Sequence, residues 1–288
     1  MITLASPSKI NLFLEVLGRR ADGFHELDTV MLRTQFCDML TAVPRVSGGL
    51  TLRFSDATPT TLSSGIPLDH RNLVLRAAAA FQARYKVTAG ADFILHKQIP
   101  PESGLGGGSG NAAATLLACR QIWNIAAPDI ELHDIAASLG SDINFLLANC
   151  RAAVCRGRGE RIEPFPVAGS LFFLALRPSQ GNSTPAVFRQ TVLPTVCRTS
   201  EPLVEALQQG VTADIRRCSF NRLTEAAVVL NPAMAELMRR LEWILHQPVW
   251  MSGSGSTVFT LCRSRQQMLE MQEILQRRWK LRSWALVV

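Results

Sequence analysis

Residues 8–16 alternate with the period of a strand: Ile10, Leu12, Leu14 and Val16 share one face, Lys9, Asn11, Phe13 and Glu15 the other. Apolar runs predict further strands over 30–40, 50–54 and 91–97. Between them the period lengthens. Asp69 or Asn72 can open an alanine-rich helix ending at Tyr85, and 111–123 predicts a second helix capped by Ser109 or Asn111. Helices over 131–139 and 142–148 and a strand over 152–156 complete the first half. The second half opens on a buried-strand run, 171–176, followed by helical patterns at 202–207, 222–230 and 232–245. Strands 249–251 and 257–262 flank a Ser-Gly-Ser-Gly-Ser turn, and a helix over 265–278 precedes a last strand, 283–287. Strands and helices mixed in this way predict an α+β protein. The division into domains is expected between 155 and 156, giving 1–155 and 156–288.

The segment joining strand 91–97 to helix 111–123 stands out. Gly104, Gly106, Gly107 and Gly108 are followed by Gly110 and then by alanines. A strand, a glycine loop and a helix N-terminus together expose backbone N–H groups, which favour a phosphate. A flexible linker would run on in Gly and Ser with no apolar helix attached. No Gly-Lys-Ser/Thr follows, so the loop is not of the Walker A type. Ser109 stands where G-x-G-x-x-G requires its third glycine, and Asp129 follows Pro128 instead of ending a strand.

Composition narrows the class. A chain of 288 residues that is 47% hydrophobic can bury cores for two modest domains. No apolar run approaches the ~20 residues that span a bilayer, and the first nine residues lack the pattern of a signal peptide, so a cytoplasmic protein is expected. Seven scattered cysteines form no CxxC pair, which predicts reduced thiols and no metal site. A net charge of +7 points to an anionic partner. The cations are spread along the chain, however, and with a single tyrosine, Tyr85, stacking platforms for nucleic acid are not visible.

Three distant pieces carry candidate chemistry: Ser6-Pro-Ser-Lys9-Ile-Asn11, the glycine loop, and Leu139-Gly-Ser-Asp142-Ile-Asn144. Lys9 and Asn11 read either as one side of a site or as a solvated strand face. Asp142 reads either as an active-site acid or, like Ser141, as a helix cap. Together the pieces resemble the GHMP kinase superfamily. Pro101-Glu-Ser-Gly-Leu-Gly-Gly-Gly-Ser109 is similar to its signature loop, and Met251-Ser-Gly-Ser-Gly-Ser256 to its C-terminal motif. Pro7-Ser-Lys9-Ile-Asn11-Leu-Phe-Leu14 and Arg20-Ala-Asp-Gly-Phe24-His25 resemble the branch that phosphorylates a cytidine diphosphate-linked methylerythritol in non-mevalonate isoprenoid synthesis.

The resemblance implies a two-domain GHMP kinase fold, with a ribosomal protein S5 domain 2-like N-terminal, ATP-binding domain and a ferredoxin-like C-terminal domain. It implies ATP and Mg²⁺, small-molecule substrates, a monomer or homodimer, and neither nucleic acid nor membrane as partner. By the same resemblance Asp142 is the general base and Lys9 lies beside it. Pro101, Gly104, Leu105, Gly106, Gly107, Gly108 and Ser109 wrap the ATP phosphates, and Asn72, Leu73 and Lys97 surround adenine, although such a lysine is equally an ordinary surface cation. Phe24 and Phe188 sandwich cytosine, His25 reads its edge, and Thr184 and Asn11 contact the erythritol or diphosphate. Gly110 departs from the family's usual serine, and Ile143-Asn144-Phe145 from its Val-Pro-Phe.

Overall fold

Strand β1 spans Ile2–Arg19 and strand β2 His25–Arg45, both well beyond the alternation visible in the sequence. In the computed structural model, which describes residues 1–288, every residue of β1 from Ser6 to Val16 is buried. The face carrying Lys9, Asn11 and Glu15 is therefore covered, and a solvated strand face is excluded. Polar groups buried in this way must find partners.

After β2 come β3 (Leu50–Phe54), α1 (Thr60–Ser63), α2 (Leu73–Tyr85), β4 (Gly90–His96), α3 (Gly107–Ile122), α4 (Asp129–Leu139) and α5 (Ile143–Leu147). The chain continues through β5 (Ala152–Gly157), β6 (Arg161–Pro164), β7 (Phe172–Leu176), α6 (Thr184–Gln190), α7 (Glu201–Gln209), α8 (Thr212–Cys218) and β8 (Phe220–Asn221). It closes with α9 (Thr224–Leu230), α10 (Pro232–Leu245), β9 (Trp250–Met251), β10 (Val258–Cys262), α11 (Arg265–Trp279) and β11 (Trp284–Val287). The elements absent from the sequence reading, α1, α6, α8, β6 and β8, are all seven residues or shorter. Two turns or fewer do not establish a period.

Residues 1–8, 36–101 and 106–149 form one compact unit, and residues 9–35, 102–105 and 150–288 a second. This differs from the contiguous division at 155/156, because β1 and β2 each contribute one end to either unit. In the first unit, β4 pairs antiparallel with β2 from Met39↔His96 to Arg45↔Gly90, and parallel with β3. Helices α2 and α3 pack together, their alanines allowing a close approach. Phe81 of α2 is fully buried beside Tyr85 and Trp123.

In the second unit β5 pairs antiparallel with the start of β2, from Leu27↔Gly157 to Leu32↔Ala152, and β8 pairs parallel with β1 at Phe13↔Phe220. A separate antiparallel sheet has the order β11-β7-β10-β9. Numbered along the chain these strands stand 4-1-3-2, with helices before the second and fourth, as in a ferredoxin-like domain. One hydrophobic core joins Leu14, Val16 and Leu27 to Leu174, Leu176, Met234, Leu241 and Val258.

Candidate active site

Helix α3 begins at Gly107 with Gly106 as its N-cap, four residues before Asn111; neither Ser109 nor Asn111 caps it. Both lie inside the helix, where Ser6 Oγ donates to Asn111 Oδ1 at 2.7 Å. Gly104 and Gly106 have φ near +74° and +71°, a left-handed conformation that favours glycine. Gly107 and Gly110 are packing glycines. A Cβ on Gly107 would lie 2.9 Å from Ile99 Cγ2, and one on Gly110 would lie 2.6 Å from the Pro7 carbonyl. The departure at Gly110 thus seats α3 against β1. Gly108 is different: it is exposed, and its Cβ would meet only Leu73 Cδ1, at an ordinary 3.6 Å. The first amides of α3 lack intrahelical acceptors, so they and the helix dipole favour an anion there.

Lys97 is 3% exposed, and its ammonium is ion-paired with the fully buried Asp38, so an ordinary surface cation is excluded. The other Asp38 oxygen accepts from the backbone N–H groups of Gln98 and Ile99 at 2.7 and 2.8 Å. A Cβ on Gly107 would come within 3.3 Å of Lys97 Nζ, which places the ammonium under the start of α3. Asn72 caps α2, accepting from Val74 N and donating to Pro67 O, and Leu73 follows as its first residue. Pro101 ends the segment leading into the loop. Asp142 holds the N-cap position of α5 but makes no capping hydrogen bond through its side chain, so the cap reading is not what the structure shows.

The second unit carries the remaining candidates. Lys9 is 2% exposed and donates to Asn11 Oδ1 at 2.6 Å, while Asn11 Nδ2 donates to Thr29 Oγ1. The backbone N–H of Lys9 donates to Leu105 O, and that of Asn11 to Ser252 Oγ. Ser252 Oγ in turn donates to Gly104 O at 3.0 Å. The turn between β9 and β10 therefore holds the Lys9–Asn11 strand and the first half of the glycine loop together. Close approach requires glycine here: a Cβ on Gly253 would lie 3.3 Å from Lys9 Nζ, and one on Gly104 would lie 2.4 Å from Ser252 O. Asn221 supports the turn from behind, donating to Met251 O and Gly253 O at 2.8 Å. Thr184 joins it through a 2.7 Å hydrogen bond between its hydroxyl and that of Ser254.

At the far end of β1, His25 stacks on Phe188 with ring centroids 5.0 Å apart and planes tilted by 27°. The ring lying on Phe188 is thus His25, whereas Phe24 is half exposed beneath the guanidinium of Arg158, 4.7 Å from its centroid. Burial, and then the charge of Arg19, lower the His25 pKa from its ordinary value, which favours the neutral imidazole. Sequence reasoning missed Asp38, Ser252 and Asn221. Ser252 lies inside the C-terminal motif and carried a signal; the others are single polar residues whose partners are distant in sequence.

Residues 72–155 match the family model described as GHMP kinases N terminal domain, and residues 203–281 match GHMP kinases C terminal. A Pelotomaculum thermopropionicum protein named 4-diphosphocytidyl-2-C-methyl-D-erythritol kinase is 38% identical over 263 residues, covering 91% of this chain and 89% of that protein. The chain belongs to this family of GHMP kinases. A Polaromonas relative of the same name is 36% identical, over 89% of this chain and 82% of its own length. A crystal structure of 4-(cytidine 5'-diphospho)-2C-methyl-D-erythritol kinase is similar at a TM-score of 0.81 with 31% identity, covering 99% of this chain and 98% of that one. The fold is accordingly the two-domain GHMP kinase fold, and the phosphate donor of this family is ATP. No helix is long and apolar enough to cross a membrane.

Proposed function

We propose that the chain transfers the γ-phosphoryl group of ATP to the 2-hydroxyl of 4-diphosphocytidyl-2-C-methyl-D-erythritol, releasing the 2-phosphate and ADP, in the non-mevalonate isoprenoid pathway. The carrying observation is the 38% identity, over nine-tenths of the chain, to a relative bearing that enzyme's name. In the transfer the acceptor oxygen bonds to phosphorus as the bond to the ADP oxygen breaks, and the hydroxyl proton needs an acceptor. We assign that role to Asp142, and to Lys9 the role of offsetting charge on the transferred group. A lysine buried on a strand and aimed by Asn11 is preorganised for such work.

Gly104, Leu105, Gly106, Gly107, Gly108 and Ser109 are assigned to the ATP phosphates, with Pro101 leading in and Asn72, Leu73 and Lys97 on the adenine side. Mg²⁺ enters as part of the nucleotide substrate. An ion held mainly by phosphate oxygens and water requires one or two protein carboxylates at most, not a cage of side chains. Phe24, His25 and Phe188 are assigned to the cytosine, and Asn11 and Thr184 to the erythritol diphosphate. The reaction is assigned to the cytoplasm, carried out by a monomer or homodimer without nucleic acid or membrane.

ADP release tests the proposal. Turnover is expected with the cytidine-linked acceptor and little above background with homoserine, mevalonate or galactose. Preference for one of those alcohols would overturn the acceptor while leaving the kinase class intact.

A further inference from the structure

We propose that Asp38 is a positioning residue for nucleotide binding, which acts by holding the Lys97 ammonium against the first residue of helix α3. This inference rests on the assignment of Lys97 to ATP and adds to it a residue outside every motif that carried that reading. The strand register brings the two side chains together. Met39 of β2 pairs with His96 of β4, so one further step along both chains sets Asp38 beside Lys97. Both are buried, and the carboxylate divides its work. Oδ1 accepts from the backbone N–H groups of Gln98 and Ile99 at 2.7 and 2.8 Å, which fixes the carboxylate itself. Oδ2 is left to accept from Lys97 Nζ.

Lys97 is held at both ends. Its backbone N–H donates to Thr58 Oγ1 at 3.1 Å, and that hydroxyl donates to Leu95 O at 3.2 Å. Its ammonium lies where a Cβ on Gly107 would come within 3.3 Å, so glycine at the first position of α3 leaves room for it. A lysine in solution samples many rotamers, and ordering it on binding costs affinity. Here the counter-charge orders it beforehand, and a buried ammonium without that counter-charge would be costly. Asp38→Asn separates the two oxygens. Its amide oxygen can still accept from Gln98 and Ile99, but its amide nitrogen would face the ammonium as a second donor. Lys97 would then turn away from α3 while the strand end kept its anchor.

The test measures ADP binding by calorimetry, steady-state kinetics and a thermal melt for the unmodified protein, Asp38→Asn, Lys97→Met and the double variant. Asp38→Asn and Lys97→Met are each expected to weaken ADP about tenfold or more, the scale of a charge-assisted hydrogen bond. In Asp38→Asn the ATP KM should rise in step, with kcat at saturating ATP and the acceptor KM nearly unchanged. The double variant should bind ADP as Lys97→Met does, because no ammonium is left to aim. It also lacks the unpaired buried charge, so its comparison with Lys97→Met decides the matter if Asp38→Asn does not fold. A lowered melting temperature with unchanged ADP affinity in Asp38→Asn, or losses that add in the double variant, would overturn the role of Asp38 while the ATP reading stands. Normal ADP binding by Lys97→Met would overturn that role together with the assignment of Lys97. Failure of the unmodified protein to bind ADP would overturn the nucleotide site itself.

Discussion

Glycines in the loop from Gly104 to Gly110 have separable causes, and those causes predict different outcomes. Gly110→Ala drives a Cβ to 2.6 Å from the backbone carbonyl of Pro7, which cannot move without shifting β1. A loss of about 1–3 kcal/mol in thermal or urea unfolding is expected. Gly108 has no such neighbour and sits in the first turn of a helix, so Gly108→Ala should fold at least as stably. Its cost should appear in the ATP KM, which is expected to rise severalfold if phosphates approach that backbone. Equal behaviour of the two variants in both measurements would remove this distinction. Asp142→Asn is expected to lower kcat by about a hundredfold or more, the usual scale for losing a general base, with ATP affinity nearly unchanged. Titration of ATP binding alongside turnover separates these effects. The motif residues were legible in the sequence because their spacing is local. Asp38 was not, since its partner Lys97 lies 59 positions away and a single acid on a strand carries no pattern.

At the scale of elements, β1 shows how far alternation can be read. Its period was visible over 8–16, but its polar face resembled any solvated face until its coverage was known. Glu15 shows what that coverage demands. Its side chain is fully buried, accepts from Arg222 at 2.7 and 2.8 Å, and also accepts from the backbone N–H groups of Val16 and Arg198. Arg198 and Arg222 both lie over the ring of Phe220, so one carboxylate organises β1, β8 and the segment before α7. Burial pushes the Glu15 carboxyl up, but the Arg222 hydrogen bonds and the two backbone donors outweigh it and leave the pKa below 4.5. A carboxyl depressed on folding contributes stability that is present above 4.5 and lost as pH falls through the folded value. Glu15→Gln is therefore expected to cost roughly 3 kcal/mol at pH 7 and to lose this component of the acid dependence. Circular-dichroism melts between pH 7 and 3 would check both. The short helices α6 and α8 were not legible, and α6 carries Thr184 and Phe188. Helix α10, with fourteen residues and Asn231 as its cap, was read at its full length.

The whole molecule is not two consecutive halves. The second unit takes Leu14, Val16 and Leu27 from the beginning of the chain into a core otherwise formed after residue 150. A fragment of residues 1–155 would expose those side chains, and a fragment of residues 156–288 would lack them. Neither is expected to unfold cooperatively alone, whereas the full chain should. Sharp amide dispersion and a cooperative melt from either fragment would overturn this expectation. Composition and motifs made the two-domain class legible; they gave no sign of the exchange of segments, because contacts between residues hundreds of positions apart leave no local period.

Burial on both sides of β1 has a consequence for the kinds of genetic change this chain can survive. Deleting one residue between Ser8 and Val16 would turn every following side chain to the opposite side, sending Lys9-type ammonium and carboxylate positions among aliphatic neighbours. Point replacements there can sometimes be absorbed by repacking; a frame-preserving loss of one codon cannot. Indels should therefore be far rarer within this stretch than in the exposed 46–49 connection that follows β2.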